Sequence, residues 1–408
     1  MKKFLGVFLG ILTAIGGFVD IGDLVTQSVV GSRFGLSLVW VTVLGVIGII
    51  VFAQMSGKVA AISGRATFEI IRERLGPRAG FLNLAASFLI NLLTVTAEIG
   101  GVALALQLAS GIQPLLWIPV AVFAVWIVLW RVKFKIMENV VGLMGLCLVA
   151  FAVAVFLLHP DWSSLGASLF SGQPKSEHPS TYWYYAISLF GAALTPYEVF
   201  FYSSGAREEK WSEQDLSLSR ANVMLGFPLG GMVSLSNAAC ATIVLLPLGI
   251  QVESLSQVAL PVAQAGGVLL VVALIVGIVA ATFGAALETC LSSGYAIAQY
   301  FGWSWGKMHA PSKASRFHLV MIVTLIIAVG ILATGADPVQ VTEASVVLSA
   351  LALPLTYLPI LIVANDPQYM GKKVNGRAMN ALGLIFLVLI VVASVASIPL
   401  MIISGMGA

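Results

Sequence analysis

Apolar runs long enough to cross a bilayer follow one another along almost the whole chain, separated by short polar stretches, and so predict transmembrane helices. About eleven spans are expected, at 3–31, 36–62, 79–109, 114–130, 137–158, 182–205, 218–248, 262–300, 318–335, 338–364 and 379–404. Two are interrupted by polar, helix-breaking tetrapeptides: Asp20-Ile21-Gly22-Asp23 in the first and Thr195-Pro196-Tyr197-Glu198 in the sixth. Laying Asp20 over Thr195 also lays Asp23 over Glu198, Ser28 over Ser203 and Gly16-Gly17 over Gly191-Ala192. Interrupted segments at matching places in two halves point to a transporter built from repeats, with its binding site at the breaks. An odd number of spans in each half makes the second repeat inverted. The repeats are expected at about 1–158 and 182–364, with an extra helix at about 379–404, all in one transmembrane domain. The longest polar connection, from His159 to Thr181, is too short for a soluble domain.

Composition agrees with this pattern. Only 10% of the 408 residues are charged, far below the ~25% of soluble domains, and the mean hydropathy is +1.00. Lys2 and Lys3 followed by an apolar run resemble a signal peptide, but the run continues past Asp20 with no clear small-residue cleavage site. Placing the N-terminus in the cytoplasm puts every one of the 21 lysines and arginines inside except Arg33 and Lys175. The expected protein is therefore multi-pass in the cell membrane, with a cytoplasmic N-terminus and an extracytoplasmic C-terminus. The net charge of +3 reflects that bias and not nucleic-acid binding. Tyr182-Trp183-Tyr184-Tyr185 is expected at the outer interface, anchoring the sixth span. Cys147, Cys240 and Cys290 fall within apolar spans and read as packing residues, not disulfides or metal thiolates.

A carboxylate near the bilayer centre costs about 3 kcal/mol on insertion scales, so it normally faces a cavity or a partner. Asp20 and Asp23 lie midway along their span, and Pro196 leaves an upstream carbonyl without its amide donor. Free carbonyls and carboxylates beside a cavity suit a hard divalent cation. Ordinary Pro/Gly kinks with hydrogen-bonded acids are the structural alternative, disfavoured because no basic residue lies at the same depth.

These residues resemble the NRAMP divalent-metal transporters, whose fold is of the LeuT type: all-α, with two inverted five-helix repeats and helices 1 and 6 broken at the midplane. Asp20-Ile21-Gly22-Asp23 with Thr26, Ser28, Gly31, Phe34-Gly35 and Leu38-Val39-Trp40 is similar to the family's first helix, Asp-Pro-Gly-Asn and the Phe-Gly-x-x-Leu-Leu-Trp after it. Ser63-Gly64-Arg65, Glu98-Ile99-Gly100-Gly101-Val102-Ala103-Leu104-Ala105-Leu106, Val346-Val347-Leu348-Ser349 and Leu353-Pro354 extend the likeness over most of the chain.

The resemblance implies a metal site at Asp20, Asp23, Ala192 (through its carbonyl) and Thr195, with Glu198 beside it. Thr195 stands where the family has the Met of Met-Pro-His-Asn, Asp23 where it has Asn, and Glu198 where the second signature ends. Losing the thioether removes a soft ligand, and the added carboxylate favours magnesium, which keeps several waters and would need a wide site. The NRAMP-related magnesium transporters lack the Met, and the chain looks like that branch. The implied function is a transporter or facilitator bringing Mg2+, with Mn2+ as a second ion, into the cytoplasm by alternating access. The alternatives are a proton-coupled Mn2+/Fe2+ transporter and an organic-cation or amino-acid transporter of the same fold.

Weak proton coupling is expected, because Val95, Tyr202 and Ser345 replace polar or titratable family residues. Glu98, Tyr197 and Tyr202 are candidates for the ion path. Glu288 has no assigned role; Glu138 reads as solvated, and Met55, Met137 and Met144 as core filling. No Gly-x-Ser-x-Gly or His-Glu-x-x-His motif supports an enzyme. No cofactor, nucleic acid or obligate protein partner is implied; the partners are the metal ion and the bilayer.

Overall fold

The computed structural model describes residues 18–172, 177–307 and 309–405, which form no strand. Its helices are α1 (Ile21–Phe34), α2 (Val39–Ser63), α3 (Thr67–Ser110), α4 (Pro114–Arg131), α5 (Phe134–Gly145), α6 (Ala150–Leu157), α7 (Trp162–Ser168) and α8 (Pro179–Ala193). There follow α9 (Pro196–Glu208), α10 (Leu216–Leu248), α11 (Leu255–Phe301), α12 (Ser315–Ala333), α13 (Pro338–Ala364), α14 (Pro367–Met370) and α15 (Arg377–Ser404). Among the described residues, nine helices are long and apolar enough to cross a membrane. The two interrupted segments fall outside that count, since α1, α8 and α9 are each 15 residues or shorter. Gly16-Gly17, Lys2, Lys3 and the start of the first span lie outside the described residues, as do Lys175 and the side chain of Glu138.

The fold is the LeuT type with its inverted repeats. Polar bonds reproduce the repeat symmetry. In the first repeat, Ser28 of α1 donates to Asn237 Oδ1 of α10 at 2.8 Å, and Asn237 Nδ2 returns a bond to Leu24 O. Its counterpart Ser203 in α9 accepts the Thr67 N–H just beyond α2, at 2.8 Å, and Ser56 of α2 donates to Val199 O at 2.6 Å. Each broken segment is thus fastened to a helix of the other repeat. The second body is α3 packed along α11 and α13.

Two helices run longer than the sequence reading expected. In α3 a charged stretch with Glu69, Arg72, Glu73 and Arg74 precedes the apolar span, and the two parts meet at Gly76 (φ 82°), followed by Pro77. In α11 the same role falls to Gly267 (φ 58°). A residue with a Cβ would be strained in either conformation.

Large side chains such as Phe123, Leu269 and Val395 are exposed, which in a membrane protein makes the outer surface a lipid contact. The aromatic cluster departs from expectation. Tyr182, Tyr184 and Tyr185 are buried, with Phe34 edge-on to Tyr182 at 5.6 Å. Trp183 alone is exposed, against Trp40. Helix α8 packs on α1, α2, α13 and α15, so most of its aromatic face has protein neighbours and not headgroups. Met55 and Met137 are buried as expected, whereas Met144 is exposed on the surface. Cys240 and Cys290 are buried, with thiols on the carbonyls of Phe151 and Met321.

Candidate metal site

At the first break the chain is extended at Asp20 (φ −105°, ψ −178°), and α1 starts one residue later. Asp20 caps α1 by accepting the Asp23 N–H at 2.8 Å. The carboxylate of Glu98, from the middle of α3, accepts the Ile21 N–H at 3.2 and 3.4 Å. Two acids therefore share the positive end of one helix, which partly offsets their burial. Tyr197, from the second break, adds its hydroxyl to Asp20. The approach at Gly22 is close: a Cβ there would meet Asp20 Oδ1 at 3.1 Å and Val346 Cγ2 at 3.0 Å, so those side chains would have to give by a few tenths of an ångström.

At the second break α8 ends at Ala193 and α9 begins at Pro196. Pro196 has no N–H, so it cannot serve the Ala192 carbonyl four residues earlier. The negative end of α8 thereby faces the first break. Thr195 caps α9 with no side-chain hydrogen bond.

Asp20, Gly22, Glu98, Ala192 and Thr195 line one cavity of about 20 Å³, completed by Thr94, Ala97 and residues of α13 including Thr342, Ser345 and Ser349. Thr94 and Ser345 share a hydrogen bond of 2.9 Å. The lining supplies oxygen donors and no sulfur. The volume holds about one water by the ~10–15 Å³ minimum, so this conformation is far narrower than the wide, hydrated site expected above.

The three carboxylates of the breaks do not converge. Asp23 turns toward α10, where its Oδ2 accepts from Ser234, while its Oδ1 accepts from Gln27 of α1 at 3.2 Å. Glu198 is buried and off the cavity wall, with Oε2 unpartnered. Among the described residues no three acidic, histidine or cysteine side chains lie close enough to hold a metal by themselves. An ion here would take Asp20 together with carbonyl and hydroxyl oxygens. Asp20 remains the electrostatic hub, its charge acting on Asp23, Glu98 and Glu198.

Tyr202 lies away from the cavity and bonds to Ser219, 2.9 Å to Oγ and 3.2 Å to the carbonyl. Val95 is fully buried. Glu288, left without a role by the sequence, faces Glu198 and Glu98 electrostatically. Its isolation within an apolar span was the available signal. The hydroxyls from α13 carried none, since Ser and Thr are common in membrane helices.

Broken helices from two inverted repeats surround a buried acidic cavity, as in a membrane transport protein and not an enzyme. The chain belongs to the Nramp family: the family described as "Natural resistance-associated macrophage protein-like" matches residues 10–399. The divalent metal cation transporter MntH of Deinococcus radiodurans is 26% identical over 391 residues, covering 92% of this chain and 85% of that protein. Among solved structures, the manganese transporter of Eremococcus coleocola superposes with a TM-score of 0.72 at 18% identity, covering 96% of this chain and 86% of that one. MhsT, solved with L-phenylalanine, gives a TM-score of 0.63 at 16% identity and covers 97% of each chain. At such identities the structural likenesses establish the fold alone.

Proposed function

We propose that the protein imports a divalent metal ion across the cell membrane by alternating access, with manganese as its first substrate. The carrying observation is the small cavity with only oxygen donors, where Asp20 meets the Ala192 carbonyl end and the unengaged Thr195 hydroxyl. Carboxylate, carbonyl and water ligands suit manganese as well as magnesium. Magnesium gives up water reluctantly, and a cavity of about 20 Å³ leaves little room for a retained shell. The manganese and divalent-metal relatives weigh the same way, against the magnesium preference read from the sequence. Magnesium is the second reading, favoured by Thr195 in place of a thioether.

In this reading Asp20, the Ala192 carbonyl and Thr195 hold the ion. Asp23 fastens α1 to α10, and Glu198 lies beyond the cavity with Glu288. With Val95 and Tyr202 lacking a proton-accepting side chain, Glu98 is the carboxyl on the cavity wall besides Asp20, and a coupled proton would pass through it. The basic residues keep the N-terminus cytoplasmic, and the chain works as one transporter domain.

The test is uptake by proteoliposomes offered manganese, cadmium and magnesium singly and in competition, with a pH-sensitive dye inside. Manganese uptake blocked by cadmium and indifferent to excess magnesium supports the reading. Magnesium uptake indifferent to manganese overturns it in favour of the second. Acidification matching metal uptake assigns proton coupling; its absence restores the weak coupling expected from Val95 and Tyr202.

A further inference from the structure

A second cavity, about 210 Å³ in volume, lies between the end of α2, the start of α10 and the linker into α15. Its polar wall is Gln54, Lys58, Ser219, Arg220 and Asn375; Met55, Leu216 and Met379 form an apolar side. It is separate from the cavity at Asp20, with which it shares no residue.

The charges in this wall are of one sign. Lys58 Nζ donates to Val374 O at 3.3 Å and to Asn375 Oδ1 at 3.4 Å, and the charges that act on it are the like charges of Arg220 and Lys373. Lys373 pairs with Glu213. Among the described residues neither Lys58 nor Arg220 pairs with an acid.

Asn375 supplies the independent observation. It is only 7% exposed, and the bond from Lys58 fixes its Oδ1. Its Nδ2, which can only donate, is buried without a partner. A buried donor left unsatisfied is costly, and here it belongs to a side chain on the wall of a cavity that also holds two unpaired cations. The complementary ligand is an anion with several acceptor oxygens.

We propose that this cavity binds a phosphate group, delivered by the headgroup of an anionic phospholipid. The orientation proposed above puts it on the cytoplasmic side, where basic pockets between transmembrane helices take such headgroups. The apolar side of Met55, Leu216 and Met379 suits the start of the lipid's glycerol and acyl portion. Lys58 and Arg220 carry the charge, and a small rotation of the Asn375 amide would bring its unsatisfied Nδ2 to a phosphate oxygen. Ser219 links the cavity to Tyr202 of α9, so an occupant braces α2 and α10 close to the second broken helix.

The full-length protein is reconstituted in phosphatidylcholine nanodiscs with and without phosphatidylglycerol. Thermal midpoints and lipid adducts in native mass spectrometry are read, and inorganic phosphate is tested separately in detergent. Phosphatidylglycerol should raise the midpoint and remain bound after delipidation. The double substitution Lys58→Gln/Arg220→Gln should weaken its binding about thirtyfold, and Asn375→Leu severalfold, while Arg131→Gln elsewhere on that side leaves it unchanged. Midpoints in phosphatidylcholine alone show that the variants fold; if the double variant does not, Lys58→Gln alone is read in its place. Protection by inorganic phosphate and not by the lipid would keep the phosphate site and overturn the lipid as its source. Equal binding of both anions by wild type and the folded variants, or an equal loss in Arg131→Gln, overturns the site.

Discussion

The two breaks in the membrane helices look alike in sequence and are finished differently in space. At the first, Asp20 and Glu98 both accept N–H groups from the opening turn of α1, and Tyr197 reaches Asp20 from the other repeat. At the second, Thr195 caps α9 without a side-chain bond, and Glu198 keeps a buried oxygen unpartnered. The first break is a fixed anionic anchor; the second leaves donors uncommitted. In the proposed reading, the ion takes its position from the first break and completes its ligands from the second. Identity at the first should therefore govern whether metal binds, and identity at the second which metal binds.

The largest effect is expected at the anchor. Asp20→Ala removes both the carboxylate and a helix cap, so manganese uptake should fall at least about a hundredfold, the scale of losing one key electrostatic group. Loss of the cap alone costs about 1 kcal/mol, which leaves a foldable protein. Wild-type uptake by a folded Asp20→Ala variant would abolish the distinction between the breaks.

Next comes the choice of metal. Thr195→Met puts a thioether beside Asp20, and cadmium binding measured by calorimetry should tighten by about tenfold while magnesium binding weakens. Adding Asp23→Asn should change that ranking little, because Asp23 faces Ser234. An unchanged ranking in Thr195→Met would show that the second break does not select.

Glu98→Gln separates anchoring from proton handling. Its amide oxygen can still accept the Ile21 N–H, so metal affinity should drop by less than about tenfold, in line with the loss of one hydrogen bond to a charged group. Any metal-linked proton signal from an internal dye should disappear. Persistence of a stoichiometric signal would move the proton path to Glu198 and Glu288.

The smallest effect on binding is expected at Asp23. Asp23→Asn keeps an acceptor for Ser234 or Gln27 and should alter manganese affinity by less than about threefold, while thermal stability falls by about 1 kcal/mol. A loss as large as that of Asp20→Ala would make Asp23 a ligand in another conformation of the transport cycle.

The helices and both breaks were legible in the chain because apolar length and helix-breaking residues are local properties. Asp20, Asp23, Thr195 and Glu198 are all nominated by the repeat offset and the family resemblance, and Ala192 by the resemblance. Asp23 and Glu198 could not be placed. Each lies on the first turn of a helix, and a side chain's direction there depends on which neighbour packs against that turn. The burial of Tyr182, Tyr184 and Tyr185 has the same origin: the sequence shows aromatic residues at a span end, and α1, α2, α13 and α15 decide whether lipid or protein meets them.

By itself the sequence determined a membrane-spanning helical transporter with two interrupted segments, because the bilayer makes hydrophobic length and backbone satisfaction nearly sufficient to specify topology. Only the tertiary structure decided that Asp20 and Glu98 share one helix end, that Asp23 belongs to the contact with α10, and that the cavity is narrow. Those features arise between residues far apart in the chain, as with the 77 positions separating Ile21 from Glu98. They are fixed by how the inverted repeats press together, which no local pattern of polar and apolar residues encodes.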